Sequence, residues 1–252
     1  MDLSTIFGLI IGVLGIVAGN AFEGGHFSAL LQMTAFVIVI SGTLGATVLS
    51  NTRKNIVLGV ELLKWVIKKD DMSYKQRVAG EIIQSAKLAR QESIVAIEKQ
   101  LPNFSDKFMK NVFRFMADGV DPKTLRDVFE NEIELKERHL NSAANIWIDA
   151  GGFAPTIGII GAVLGLIHVM VNLTDTAQLG KGIAVAFVAT IYGVGLANLF
   201  FIPIGNKIKS KIIEKIEVDE MILEGAVAIS SGLNPFIIEQ KLQSYLKANE
   251  EI

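Results

Sequence analysis

The sequence predicts an all-α membrane protein with four transmembrane helices and a helical cytoplasmic domain between the second and the third. Half of its 252 residues are hydrophobic and the mean hydropathy is +0.43, which is high for a soluble domain. The charged residues, 20% of the chain, fall mainly outside a few long apolar blocks. These blocks lie at about residues 3–18, 29–49, 150–171 and 183–204.

Each of the last three blocks is long enough to cross the ~30 Å hydrocarbon core of a bilayer. The first block is shorter, and a secretory signal peptide is an alternative interpretation of it. A signal peptide needs a basic segment before its apolar run, but the only charge there is Asp2. Because a second block follows almost at once, we interpret the first block as a transmembrane helix.

Lysine and arginine predict the orientation of these helices. Of the 24 such residues, 17 lie in residues 51–145 and six in 206–252, whereas the two short loops contain only Lys181. Cytoplasmic loops carry such an excess, so both termini are expected in the cytoplasm. The chain then divides into transmembrane helices 1 and 2 (1–50), a helical cytoplasmic domain (51–147), transmembrane helices 3 and 4 (148–205) and a cytoplasmic C-terminal helical tail (206–252).

Apolar residues recur at helical spacing through the predicted cytoplasmic domain, and no strand-like alternation is present. The pattern continues apolar beyond the second block over residues 57–67. It predicts a helix over 79–101 that Pro102 ends, because proline cannot continue the hydrogen-bond ladder. A further helix is expected over 106–117.

A long helix is expected to lead into the third apolar block. Asp121 and Pro122 are typical of a helix N-cap and of the first helical position. The helical pattern then runs on from Lys123, and the first break is expected at Gly151 and Gly152.

The composition excludes several kinds of chemistry. There is no cysteine, and the three histidines are far apart, so we expect no metal site. A net charge of −2 argues against nucleic-acid binding. No glycine-rich phosphate loop or nucleophile–base pair is recognisable, so neither an enzyme nor a cofactor is expected.

The third and fourth apolar blocks contain almost no ionisable side chain. The third has only His168 and the fourth only the phenol of Tyr192, while Asp149 adjoins the cytoplasmic end of the third. Pumps and proton relays place acidic or basic residues within their spans. If the protein serves ion flow, a second chain must therefore supply the carboxylate.

Small residues are frequent in the same two blocks. Such residues let helix backbones approach closely inside a membrane, where lipid provides no hydrophobic drive for association. We predict helix packing through four glycines, of which the second and third have GxxxG spacing. These residues are Gly158, Gly161, Gly165 and Gly193.

Prolines and threonines are the other candidate functional residues of these blocks. Pro155 and Pro203 each remove a backbone donor, which produces either a tolerated kink or a hinge. The hydroxyls of Thr156 and Thr190 could offer oxygens to an ion path or bond to a carbonyl of the preceding turn. Both interpretations remain open at this point.

Several stretches of the chain carry motifs of one family. They are APTIGIIGAVLGLI at 154–167, AVAFVATIYG at 184–193, FFIPI at 200–204 and the charged run at 89–98. Together they resemble the MotA/PomA family of stator subunits of the bacterial flagellar motor, across essentially the whole chain. Ser93 departs from the pattern, since many relatives have glycine there.

The resemblance implies a homo-oligomer of five copies around two copies of a MotB-type partner in the inner membrane. That single-span, peptidoglycan-binding partner would supply the membrane aspartate, and ion flow would turn the ring against a FliG-type rotor protein of the C-ring to drive motility. Arg90 and Glu98 match the rotor-contact charges of the family. On one continuous helix they would lie ~80° apart and two turns distant.

The resemblance also implies an ion path along Pro155, Thr156, Ala162, Thr190 and Pro203. Sodium-type members typically have threonine seven residues after the first of these prolines, and here that position is Ala162. Alanine offers no oxygen to a sodium ion, so we expect proton coupling. Thr190 matches a threonine of the sodium pathway, although proton-type relatives can carry it too.

Three alternatives remain at the level of sequence. A sodium-driven stator is one. A second is an ExbB/TolQ-like energiser of envelope transport, although those proteins usually have one span before the cytoplasmic part and this chain has two. A third is a stand-alone channel or a membrane enzyme, although no motif supports an enzyme.

Overall fold

The computed structural model describes residues 3–68, 71–171 and 176–247, which are almost entirely helical and contain no β-strand. The α-helices alternate with two 3-10 segments, Phe27–Leu30 and Ile94–Asn103, and one π-helical segment, Ala197–Phe201. The α-helices are α1 (Leu3–Phe22), α2 (Met33–Ser50), α3 (Arg53–Glu61), α4 (Leu63–Ile67), α5 (Met72–Gln91), α6 (Lys107–Ala117), α7 (Pro122–Val171), α8 (Thr176–Leu196), α9 (Ile202–Ser230) and α10 (Pro235–Lys247).

The chain forms two compact units. The first combines residues 1–69 with 140–210, and the second combines 70–139 with 211–252. Within the described residues, four helical stretches are long and apolar enough to cross a membrane. They are α1, the 3-10 segment with α2, the apolar part of α7, and the run that begins in α8, so the prediction of four spans is confirmed.

The expected break at Gly151 and Gly152 is wrong, because α7 is a single helix of 50 residues that passes through both. Glycine inside a helix costs only about 1 kcal/mol relative to alanine. A Cβ at position 151 would overlap the side chain of Ile202, whereas one at position 152 would meet nothing within 4 Å. Gly151 therefore serves helix packing.

The expected helix over 79–101 is also wrong beyond Gln91. There α5 ends, Ser93 adopts an extended backbone (φ −175°, ψ 165°), and a 3-10 segment follows with Pro102 inside it. Serine competes with the helix by favouring local non-helical conformations. The 3-10 segment packs back on α5 and buries Ile97 completely, so the helical spacing of apolar residues reflects two packed elements.

The helix that contains the fourth span continues beyond residue 204. After α8 the chain makes the π-helical segment and continues as α9 to Ser230. Gly232 then takes a left-handed conformation (φ 71°), where its N–H donates to the carbonyl of Ile229 and the helix ends. Helix α10 begins at Pro235, the position that proline favours.

The buried Asp106, directly before α6, connects three helices of the second unit by hydrogen bonds. Asp106 accepts hydrogen bonds from the N–H groups of Phe108 and Met109 at 2.6 and 3.0 Å, as an N-cap does. It also accepts from the Lys215 ammonium at 2.8 Å and from the Tyr74 hydroxyl. Burial alone would raise the pKa of Asp106, but the bonds from Lys215 and Tyr74 lower it to about 2.

Candidate functional site

Helices α7 and α8 meet along a seam of small residues, and Gly158 and Gly193 lie at its centre. A Cβ added to Gly193 would lie 2.5 Å from the carbonyl oxygen of Ala154 and 3.1 Å from the Cα of Gly158. A Cβ on Gly158 would lie 2.9 Å from the carbonyl oxygen of Ala189. The two backbones are therefore in direct contact, which is possible only without side chains.

The seam continues toward the other end of both helices. A Cβ on Gly161 would lie 2.8 Å from the Cβ of Ala189. One on Gly165 would lie 2.9 Å from both the N of Ala186 and the carbonyl oxygen of Gly182. The structure thus brings all four predicted glycines to one contact. Sequence reasoning missed Gly182, although the small residues Gly182, Ala186, Ala189 and Gly193 follow one another at helical spacings of four, three and four residues, which was a usable signal.

Helix α2 packs along one side of the α7–α8 pair. Ala35 and Val39 of α2 form a buried cluster with Val188 and Ala189 of α8. On α7, a Cβ at Gly161 would contact Ile38 at 3.4 Å. This side of the seam is therefore closed within the single chain.

Three predicted ion-path residues border the opposite side of the seam. Pro155 and Ala162 are seven residues apart and share one stripe of α7, ~100° or more around the axis from Gly161. On α8, Thr190 lies ~100° around the axis from Ala189, and its Cα is 3.5 Å from the position of a Cβ on Gly158. Pro155, Ala162 and Thr190 are all half-buried, so they form a border that another chain could cover.

The two threonine hydroxyls both bond to the preceding helical turn. The Thr156 hydroxyl donates to the carbonyl of Phe153 at 2.8 Å, and the Thr190 hydroxyl donates to that of Ala186 at 3.3 Å. Each oxygen keeps lone pairs that can accept from water. Thr156 is exposed and points away from the seam, so it does not join the other three residues.

Pro203 is the second residue after the π-helical segment, which ends at Phe201. In this segment the N–H of Ile202 donates to the carbonyl of Ala197, five residues back. Proline has no N–H to offer the carbonyl of Leu199, four residues before it. The wide turn and the missing donor place an irregular backbone at this end of the fourth span, and Pro203 itself is exposed.

Aromatic packing holds the π-helical segment against α7. The rings of Trp147 and Phe201 stack with centroids 6.3 Å apart and planes at 28°. The indole N–H of Trp147 donates to the carbonyl of Gly59 at 2.9 Å. Phe201 is buried together with Ala150, Ala154 and Ala197, so one cluster links the irregular turn to the third span.

The ionisable groups nearest these spans have partners within the chain. Asp149 is half-buried and accepts a hydrogen bond from the Asn51 amide at 3.0 Å. The ring of His168 is exposed and lies 3.2 Å from the Gln178 amide oxygen. Tyr192 donates to the carbonyl of Leu30 at 2.5 Å. These contacts connect helix ends, and no sequence pattern points to Asn51.

Arg90 and Glu98 lie on different elements. Arg90 is in the last turn of α5, while Glu98 is in the 3-10 segment after the extended Ser93. The angle expected for one continuous helix is therefore wrong. Both side chains are exposed, and neither has an ion pair within the described part of the chain.

Four helices able to cross a membrane and a backbone-to-backbone seam between α7 and α8 define a multi-span helical membrane protein. The pattern of the MotA/TolQ/ExbB proton channel family matches residues 100–221. Motility protein A of Bacillus subtilis (strain 168) is 32% identical over 252 residues, which cover all of this chain and 93% of that protein. The chain belongs to this family, whose members are multi-pass membrane proteins and not enzymes.

Further comparisons agree over the full length. Motility protein A of Helicobacter pylori is 31% identical over 99% of this chain and 97% of that protein. The structure of C. jejuni MotAB superposes with a TM-score of 0.90 at 30% identity, covering 97% of this chain and 96% of that chain. The flagellar MotAB stator complex from Bacillus subtilis gives 0.88 at 32% identity, with the same coverage.

Proposed function

We propose that this chain is a stator subunit of the bacterial flagellar motor in the inner membrane. With a MotB-type partner that carries the membrane aspartate, it forms an ion channel whose flow turns the subunit ring and applies torque to a FliG-type rotor protein. The observation that carries the proposal is the full-length similarity to motility proteins, including the two spans before the cytoplasmic part. That similarity favours the flagellar type over an ExbB/TolQ-like energiser.

The proposed assembly has five copies of this chain around two partner chains. Both termini lie in the cytoplasm, and the chain divides at residues 50, 147 and 205 as the sequence predicts. The border of Pro155, Ala162 and Thr190 faces the partner and lines the ion path, because the opposite side of the seam is occupied by α2. Thr156 points away from this border and stays outside the proposed path, and Pro203 with the π-helical segment acts as the hinge of the path.

We infer proton coupling from the chemistry of this border. Of the three border residues only Thr190 has a side-chain oxygen, because Ala162 offers none that could replace the water around a sodium ion. A proton needs only water and the carboxylate of the partner. Each elementary charge that crosses releases ~2.3 kcal/mol per 100 mV, and repeated protonation of the partner would convert it into rotation.

Exchange of the external cation tests this proposal. Cells that depend on this chain for motility are tracked in sodium medium and after replacement of sodium by potassium, with a protonophore as the positive control for arrest. We expect an unchanged swimming speed in potassium and arrest by the protonophore. Arrest on sodium removal with recovery on re-addition would establish a sodium-driven stator, and intact motility after deletion of the gene would exclude the stator function.

A further inference from the structure

Residues 53–68 form a short helical segment directly after the second span. Helix α2 ends at Ser50, Asn51 and Thr52 are extended, and α3 begins at Arg53. The Thr52 hydroxyl caps the new helix by accepting from the N–H of Asn55 at 3.4 Å. We call residues 53–68 the juxtamembrane segment, since only two residues separate it from a transmembrane helix.

One face of the juxtamembrane segment is fixed on α7. A Cβ on Gly59 would overlap the side chain of Ile146 and lie 2.5 Å from the carbonyl oxygen of Ala143. Leu62 and Val66 are 3% and 4% exposed, so they complete the docked face. This contact decides which side chains the segment turns outward.

The outward side has an apolar strip that is exposed within the residues that the structure describes. Val57, Val60 and Ile67 are 51%, 52% and 54% exposed. Within α3, Val57 and Val60 lie ~160° and ~100° around the axis from Gly59, so both turn away from the contact with α7. In α4, Ile67 directly follows the buried Val66. At the end of α2, Leu49 is 89% exposed, which continues the apolar surface from the transmembrane helix to the segment.

Four cations accompany this strip. Arg53, Lys54, Lys64 and Lys68 are all exposed, and none has an ion pair within the described part of the chain. The only acid of the segment is Glu61, so its net charge is +3. An apolar strip beside a basic surface, on a helix next to a span, is typical of a helix lying in the membrane interface.

We propose that the juxtamembrane segment is a binding site for anionic lipid headgroups. Val60 and Ile67 enter the boundary between headgroups and acyl chains, while the four cations bind phosphate groups of the cytoplasmic leaflet. Continuity with α2 places the segment at that boundary, and its charge complements an anionic surface. The same face of a second copy would carry the same charge of +3, which opposes its pairing with itself.

Lipid selectivity in a defined bilayer tests this site. The full chain with its partner is reconstituted in nanodiscs of four parts phosphatidylcholine to one part phosphatidylglycerol, and the association of spin-labelled forms of each lipid is compared. We expect a preference for phosphatidylglycerol that falls on the order of five-fold for each cation lost. The variant with all four cations changed to Gln should therefore lose the preference.

Two controls test whether the lipid preference depends on the position of the cations and on electrostatic attraction. Lys87, Lys99, Lys107 and Lys123 are exposed cations of the second unit, and changing all four to Gln removes the same charge but should keep the lipid preference. Raising salt from ~0.1 to ~1 M shortens the Debye length from about 10 to 3 Å and should weaken the preference of the unmodified protein.

Three results would overturn the proposal. One is equal association of both lipids with the unmodified protein. Another is a preference that survives loss of the four cations of the juxtamembrane segment. The third is that the variant without the four cations dissociates, as its native mass would show, while its lipid selectivity stays unchanged. That result would make the segment an interface between copies. None of these results depends on the stator function.

Discussion

The seam between α7 and α8 predicts that Gly193 cannot accept a methyl group. The added Cβ would lie 2.5 Å from the carbonyl oxygen of Ala154, and ordinary contacts begin at 3.4 Å. The helices must therefore separate locally by about 0.9 Å. Gly195, on the same helix, has nothing within 4 Å of its Cβ position and provides a matched control.

We expect Gly193→Ala to be less stable than Gly195→Ala by about 1–3 kcal/mol, the usual cost of overpacking. Both changes gain the same helix propensity, so their difference isolates the steric effect. Thermal unfolding of the purified complex in detergent, followed by tryptophan fluorescence, should give a Tm roughly 2–12 °C lower for Gly193→Ala. Equal Tm values for the two variants would refute the reasoning.

Two further predictions concern the second unit. The pKa of Asp106 is lowered to about 2 in the folded protein, so its charge stabilises the fold above pH ~4, and about 2 kcal/mol of folding free energy is lost as the pH falls from ~4 to ~2. The Asp106→Asn variant should flatten this part of the pH dependence of urea unfolding. An unchanged profile would contradict the assignment. Arg90→Glu or Glu98→Lys should reduce swimming if these side chains contact the rotor. The membrane level and the Tm should stay unchanged, because both side chains are exposed and have no ion pair within the described residues. A reduction no greater than that caused by Lys87→Glu would argue against a rotor contact.

The spans were predictable because a membrane imposes one simple requirement, a long apolar run, and the sequence meets it four times. The packing glycines were predictable for a related reason, since spacing alone puts Gly158, Gly161 and Gly165 on one side of a helix. Their partners were not, because a contact such as that of Gly182 with Gly165 depends on how two helices are placed in space.

Other features had at most a weak local signal in the sequence. The break at Ser93 involves neither glycine nor proline, and the apolar spacing across it fits one helix as well as two packed elements. Lys215 reaches Asp106 across 109 positions of sequence, so no window of residues contains both. The π-helical segment left only an indirect trace in Pro203, whose missing N–H the sequence does reveal.

The π-helical segment also determines how α9, which follows it, is rotated about its own axis. A π turn accommodates one residue more than an α turn, which rotates the rest of the helix by ~100° relative to an uninterrupted one. In the structure, Gly205 then meets Ile148, whose Cδ1 would lie 2.6 Å from an added Cβ, and Ile208 is fully buried. Without that extra residue, Ile204 and Lys207 would turn to the angular positions that Gly205 and Ile208 now fill. One irregular turn thus decides which of two mutually exclusive faces α9 presents to α7.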